Sequence, residues 1–256
     1  MKKQFLIILG GLIISITLIS SAWALRPIKL GCLISFPPYA WKENGQIKGI
    51  DIDIVNELFK RAKLNKVIKA YPTKRVVILV AKGLVDGGFS ALKTPSRARV
   101  AMFLDVPIHQ SVYKIFVKKG NEFNFRKIED LYGKKIGINR SFSISKEFRA
   151  AVKSGIIKVD EGASTSKQNL LKLISKRIDA VVGNEKEMKY IIKKMRLGDK
   201  VVALHNPIAK PINAYLALSK ASKLKNKQQI LNKLNKILRQ MHRDGTINRI
   251  NSKYMD

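Results

Sequence analysis

The sequence has 256 residues, with 50 lysines and arginines against 18 acids, a formal net charge of +32 and a single cysteine. One cysteine excludes an internal disulfide, and no run of Lys/Arg exceeds two residues. Thirty-seven of the 50 basic residues are lysines scattered along the chain, with no RNA-recognition motif, zinc finger or heptad-linked basic region, so the charge reads as a lysine-coated surface rather than a nucleic-acid site.

The chain opens MKKQFLIILGGLIISITLISSAWALRP: two lysines, an uncharged apolar run from Phe5 to Ser20, then Ala22-Trp23-Ala24. This is the order of a secretory signal peptide, with cleavage expected after Ala24 and an exported, soluble product. The competing reading is an uncleaved anchor; the run is short for spanning a bilayer and contains Gly10, Gly11, Ser15 and Thr17. Leu30-Gly31-Cys32 superficially fits a lipid-attachment box, but Arg26, Pro27 and Lys29 occupy its apolar region, so Cys32 is expected in a buried strand.

Beyond the signal, Ile28–Ile34 predicts a strand and residues 50–64 a helix with Ile50, Ile54, Leu58 and Arg61 on one face. A strand is expected at 67–71, a helix from Pro72-Thr73 to Lys82 and a strand at 84–89, an alternation that implies a parallel sheet covered by helices. The same grammar repeats, with strands at 112–117, 135–138, 157–159 and 178–182 and helices at 143–153, 167–175 and 185–194. A strand at 213–218, a long amphipathic helix at 223–242 and a short helix after Asp244-Gly245-Thr246 close the chain. Two units of one grammar suggest two closely packed lobes, since no Pro/Gly/Ser-rich linker separates them.

Catalytic and metal patterns are mostly absent. His109, His205 and His242 form no H-x-x-E or H-E-x-x-H pattern, no G-x-S-x-G elbow or P-loop occurs, and Cys32 has no evident histidine partner. Asp51 and Asp53 form a D-x-D that could bind a cation, but on the first turn of a helix the macrodipole accounts for them more simply. The loop Phe36-Pro37-Pro38-Tyr39-Ala40-Trp41 follows the first strand, where open α/β sheets bind ligands, although Tyr39 and Trp41 could equally stack on the core. Asn44-Gly45 signals a hairpin tip within 42–49.

Several motifs stand in one order: Pro38-Tyr39, Asn44-Gly45-x-x-x-Gly49-Ile50-Asp51-Ile52-Asp53, Gly83-Leu84-Val85-Asp86, Thr94-Pro95-Ser96-Arg97, Asp130-Leu131-x-Gly133-Lys134-Lys135-x-Gly137, Arg177-Ile178-Asp179-Ala180-Val181-Val182 and Asp244-Gly245-Thr246. Over essentially the whole mature chain this resembles the bacterial extracellular solute-binding proteins of family 3, the periplasmic receptors of polar amino-acid ABC importers. The resemblance implies an α/β, two-lobed type II periplasmic binding fold, each lobe a mainly parallel sheet flanked by helices. After a signal at 1–24, the first lobe would comprise 25–113 and 209–256, and the second 114–208. It further implies a monomer that needs no cofactor or metal, takes a small carboxylate-bearing ligand and delivers it to an inner-membrane ABC permease.

By the same resemblance, Arg97 would hold the ligand's α-carboxylate, a role suited to a planar guanidinium that donates two parallel bonds. Ser90 would contact the same carboxylate, Phe36 would stack on the ligand with Tyr39 beside it, and the loop bearing Arg140, Ser141 and Phe142 would complete the anion site. The chain departs from the family at four positions: Asn184 replaces the second-lobe acid that holds the ammonium, Leu33 a first-lobe aspartate that contacts ligand in some members, Leu92 a hydroxyl and Ser141 a glycine. A buried ammonium without a carboxylate is costly, so Glu185, Asp160 or another acid substitutes, or the ligand is not an ordinary α-amino acid. Two other functions compete with a transport receptor. One is an exported enzyme on the same fold, similar to cyclohexadienyl dehydratase, with Glu185 or Glu161 as general acid. The other is a cationic protein for anionic polymers or surfaces.

Overall fold

The computed structural model describes residues 26–139 and 145–255; the expected signal peptide and Arg140, Ser141 and Phe142 lie outside the described residues. In chain order the strands are β1 (Ile28–Leu33), β2 (Ser35–Phe36), β3 (Ala40–Glu43), β4 (Gln46–Lys48), β5 (Lys66–Tyr71), β6 (Gly87–Leu92), β7 (Ala101–Phe103), β8 (His109–Ser111), β9 (Tyr113–Lys118), β10 (Lys135–Asn139), β11 (Lys158–Ala163), β12 (Ala180–Asn184), β13 (Val201–Pro207) and β14 (Ile212–Ser219). The helices are α1 (Ile50–Arg61), α2 (Thr73–Ala81), α3 (Pro95–Val100), α4 (Lys146–Lys153), α5 (Ser166–Ile174), α6 (Glu185–Lys194), α7 (Lys227–Arg243) and α8 (Thr246–Met255).

Two sheets organise these elements. The first runs β5-β1-β6-β14-β7, with β8 also paired to β14; the second runs β11-β10-β12-β9-β13. Each has a parallel half, β5-β1-β6 and β11-β10-β12, extended by antiparallel strands. The chain crosses from one sheet to the other between Ser111 and Tyr113 and returns between Pro207 and Ile212. The crossings lie side by side, because Ile208 N–H donates to the Tyr113 carbonyl at 2.9 Å and Ile212 pairs with Ser111. A third sheet, β2-β3-β4, is the expected hairpin with its tip at Asn44-Gly45.

Burial explains the layers. Helices α1, α7 and α8 cover one face of the first sheet through Ile54, Leu58, Leu234, Leu238 and Ile247, all buried. Helix α2 covers the other through Val76, Leu79 and Val80. Cys32 is fully buried in β1, as expected, and burial pushes its thiol up to about 12. Among the described residues no helix is long and apolar enough to cross a membrane.

The strand predicted over 84–89 begins at Gly87 instead. Leu84 is 62% exposed, and Asp86 bonds its neighbours by main chain, donating to Lys29 O at 2.7 Å and accepting from Ser219 N–H at 2.8 Å, while its carboxylate accepts from Lys29 N–H at 2.9 Å and from Arg26 at 2.6 and 2.7 Å. The long C-terminal helix begins at Lys227 rather than 223, because Asn226 adopts a left-handed conformation with φ 54°.

Candidate functional site

Strands β1 and β6 run parallel and lead into the loops that carry most of the expected first-lobe residues. The aromatic loop after β1 is built around the start of α1. With no side-chain cap, α1 satisfies its first N–H groups on loop carbonyls: Ile50 donates to Pro38 O at 2.8 Å and Asp51 to Tyr39 O at 2.9 Å. This close approach requires Gly49, whose φ is 136° and where a Cβ would lie 2.3 Å from the Tyr39 oxygen. Phe36, half-buried, stacks on Tyr39 at 4.9 Å, and Tyr39 stacks on His109 at 4.0 Å between centroids. Tyr39 and Trp41 are both buried, and Trp41 packs against Tyr190 of α6 at 5.4 Å.

Beneath this stack lies a polar knot that sequence spacing did not reveal. Asp51 is completely buried; its Oδ1 lies 2.8 Å from His109 Nδ1 and its Oδ2 accepts from Ser90 Oγ at 2.5 Å. A carboxylate acceptor places a proton on His109 Nδ1, and Nε2 lies 3.1 Å from Ser111 Oγ. The dipole reading suits Asp53, which also takes bonds from Lys253 at 2.8 Å and Tyr254 at 2.9 Å, but it falls short for Asp51. Ser111, His109 and Asp51 share the order of a nucleophile, base and acid, yet Ser111 is 1% exposed and no substrate atom can reach its oxygen. Among the described residues no cluster of three His, Cys, Asp or Glu could hold a metal ion.

Ser90 reaches Asp51 through an unusual backbone. Its φ is 57°, in the left-handed region, at a register shift between β6 and β14. Arg97 follows on α3, where Thr94 Oγ1 caps the helix by accepting from Arg97 N–H at 3.3 Å. The guanidinium is half-buried, and burial lowers its pKa. Its Nη1 donates to the Leu92 carbonyl at 3.0 Å, and among the described residues no carboxylate forms an ion pair with it. Arg97, Ser90 and Leu33 line one cavity with Val76, Val80 and Phe103, whereas Arg99 is exposed.

In the second sheet, Asn184 ends β12 and caps α6, its Oδ1 accepting from Glu187 N–H at 3.1 Å. Its Nδ2 is buried among the phenols of Tyr39 and Tyr113 without a hydrogen bond of good geometry to either. Burial pushes Tyr113 up to about 12 and Tyr39 further. The acids considered as substitutes are already engaged: Glu185 with Lys189 at 2.8 Å and Lys114 at 3.3 Å, and Asp160 with Lys172 at 2.6 Å. A third acid, Glu187, is buried and accepts from Ser166 Oγ at 3.0 Å; burial outweighs that bond and pushes its carboxyl up to about 7. Ser166 in turn accepts from Asn139 at 3.0 Å, and Asn139 accepts from Asn169 at 3.0 Å.

The family model for bacterial extracellular solute-binding proteins, family 3, matches residues 28–256. The chain belongs to that family. Its members are extracellular or periplasmic solute-binding proteins, and the exported-enzyme alternative loses its ground. The family 3 chain is 25% identical over 185 residues to an L-arginine-binding protein of Pseudomonas aeruginosa, covering 72% of this chain and 70% of that one. It is 20% identical over 221 residues to the L-cystine-binding protein TcyJ of Escherichia coli K12, covering 86% and 79%. An ancestral arginine-binding protein bound to arginine superposes with a TM-score of 0.72 at 25% identity, covering 91% of this chain and all of that one. The fold is therefore that of a type II periplasmic binding protein, and the function is that of a substrate-binding receptor.

Proposed function

We propose that this family 3 protein is exported by cleavage after Ala24 and works as a monomer in the periplasm. In this reading it encloses a small carboxylate-bearing solute between a first lobe (25–113 and 209–256) and a second (114–208) and hands it to an inner-membrane ABC permease. Nucleic acid is not among its partners. Closure of two lobes on a ligand ties affinity to the population of the closed state.

One observation carries the carboxylate. Arg97 is half-buried beside Ser90 at the end of β6 with one N–H spent on a main-chain carbonyl, so its remaining donors are free for an anion. Relatives named for arginine and cystine support a solute with an α-carboxylate. Phe36 supplies an aromatic face beside that position, and the segment bearing Arg140, Ser141 and Phe142 would contribute from the second lobe.

A thermal-shift screen of the purified protein against amino acids, polyamines, dicarboxylates, 2-oxo acids and prephenate tests this reading. A true ligand stabilises the protein by RT ln(1 + [L]/Kd), about 2.7 kcal/mol at a hundredfold excess over Kd. Stabilisation confined to solutes lacking a carboxylate, or turnover of a hit, counts against it.

A further inference from the structure

The lysine coat is not uniform. Between Glu57 and Asp105 stand eleven Lys/Arg and one acid, Asp86, which is 2% exposed and bonded to Arg26. Four of the eight large apolar side chains exposed among the described residues fall in the same stretch: Val67, Val77, Ile78 and Leu84. Cations and bare aliphatics are concentrated together on β5, on α2 and in the turn after it.

Packing puts them on one side of the molecule. Helix α2 buries Val76, Leu79 and Val80 against the first sheet, which turns Lys74, Ile78 and Lys82, spaced i, i+4, i+8, to solvent as one exposed row. Strand β5 is an edge of that sheet. Beside it lies a groove of about 320 Å³ with Val67, Tyr71, Leu84 and Val85 as apolar lining and Lys29 and Lys69 as cations; no acid lines it, and Arg26 there is neutralised by Asp86. An acid-free face with aliphatics set among cations has the composition of a patch that lies in the interface of an anionic bilayer. Each Lys/Arg close to such a surface adds about fivefold to binding. Nucleic acid would leave the aliphatics unmatched, because single strands are held on aromatic platforms and duplexes through phosphate contacts.

We infer that the α2–β5 face docks on the surface of an anionic phospholipid bilayer, with Lys69, Lys74 and Lys82 over the headgroups and Ile78 and Leu84 entering the interface. This docking does not depend on which solute the protein binds.

Sedimentation of the purified exported protein with vesicles of phosphatidylglycerol and phosphatidylcholine, and with phosphatidylcholine alone, measures the partition coefficient. Binding is expected only where phosphatidylglycerol is present. Lys74→Gln with Lys82→Gln removes cations of the face, and Ile78→Ser with Leu84→Ser removes its aliphatics. Lys233→Gln with Lys236→Gln removes the same charge from the exposed side of α7, which covers the opposite face of the same sheet. The α2 lysine pair should lose about tenfold or more and the aliphatic pair about threefold or more, with the α7 pair within about twofold of wild type. Should the aliphatic pair fold poorly by circular dichroism, Leu84→Ser alone makes the same test, Leu84 being 62% exposed. Equal binding to both vesicle types, no binding to phosphatidylglycerol, or equal losses from the α2 and α7 lysine pairs overturns the docking face. Full binding by the aliphatic variants overturns it too, since the contact would then be diffuse attraction alone. So does binding of soluble polyglutamate that matches vesicle binding and falls with both α2 pairs, which would assign the face to an acidic protein.

Discussion

Two buried carboxylates, Asp51 and Glu187, stand one in each lobe, and the two are treated differently. Asp51 has both oxygens occupied, by His109 and by Ser90. Glu187 has one hydroxyl partner, Ser166, and its carboxyl is pushed up to about 7. Burial is nearly equal, 0% and 7% exposed, so the number and polarity of donors supplied by the fold separates them. Asp51 is thus built as the acceptor hub of a fixed network, whereas Glu187 sits in an amide and hydroxyl chain that tolerates the neutral acid.

The largest effect is expected from cutting the hub. Asp51→Ala leaves His109 and Ser90 with donors and no acceptor in the core, and should cost ~3–5 kcal/mol of unfolding free energy by urea titration. Glu187→Ala, which among the described residues leaves only Ser166 without its acceptor, should cost clearly less at neutral pH. Equal losses would erase the distinction between the two carboxylates.

Arg97 belongs to the same comparison as a half-buried charge that, in the function proposed above, takes its partner from the ligand. Arg97→Ala should cost ~2–4 kcal/mol of binding to whichever carboxylate the screen identifies, because that carboxylate is left desolvated and unpaired. Arg99→Ala should leave the calorimetric affinity unchanged, since Arg99 is exposed. Losses of similar size at both would favour diffuse attraction by the lysine coat.

The pH dependence follows from Glu187. Its folded-state value, about 7, exceeds the ordinary 4.5, so between these values the native protein binds more protons than the unfolded chain. Stability from this group is therefore lost as pH rises from about 4.5 to 7, by at most about 3 kcal/mol. Glu187→Gln keeps the volume and a hydrogen-bonding group and should be more stable than wild type by ~1–3 kcal/mol at pH 8, with the advantage vanishing near pH 4. A pH-independent difference between the two proteins would show that Glu187 does not change charge in this window.

The contrast also marks what the sequence could disclose. The helix of residues 50–61 and that of 185–194 were legible from apolar spacing and acidic first turns, and Thr94 before Pro95 carries a helix-start signal for α3 that was read only as a motif. Strands β7, β8 and β13 were not predicted; the first two have three residues each, too few for a period of two to register. The sequence could point to single residues, as with Arg97, Ser90 and the departures at Leu33 and Asn184, whose part in ligand binding is the proposal made above. Partners that meet across the fold were illegible: His109 lies 58 residues from Asp51, and Ser166 lies 21 from Glu187. Nothing local to Asp51 separates a hub from a helix-dipole acid such as Asp53; burial decides, and burial is a property of the packed sheet.

The smallest and sharpest test is Ser166→Ala. Ser166 Oγ donates to Glu187 and accepts from Asn139 Nδ2, so its loss orphans one acceptor and one donor together. The Asn139 half should cost about 1 kcal/mol at any pH. The Glu187 half depends on charge: a carboxylate deprived of its one donor is penalised further, whereas the neutral acid can turn its own proton to another acceptor. Urea unfolding should therefore show ~1 kcal/mol lost at pH 5 and ~2 kcal/mol at pH 8. The same variant should move the titration of Glu187 upward, because the bond that opposes the effect of burial is gone. An equal loss at both pH values would mean that Ser166 acts through Asn139 alone, and that burial sets the Glu187 carboxyl without help from its hydroxyl partner.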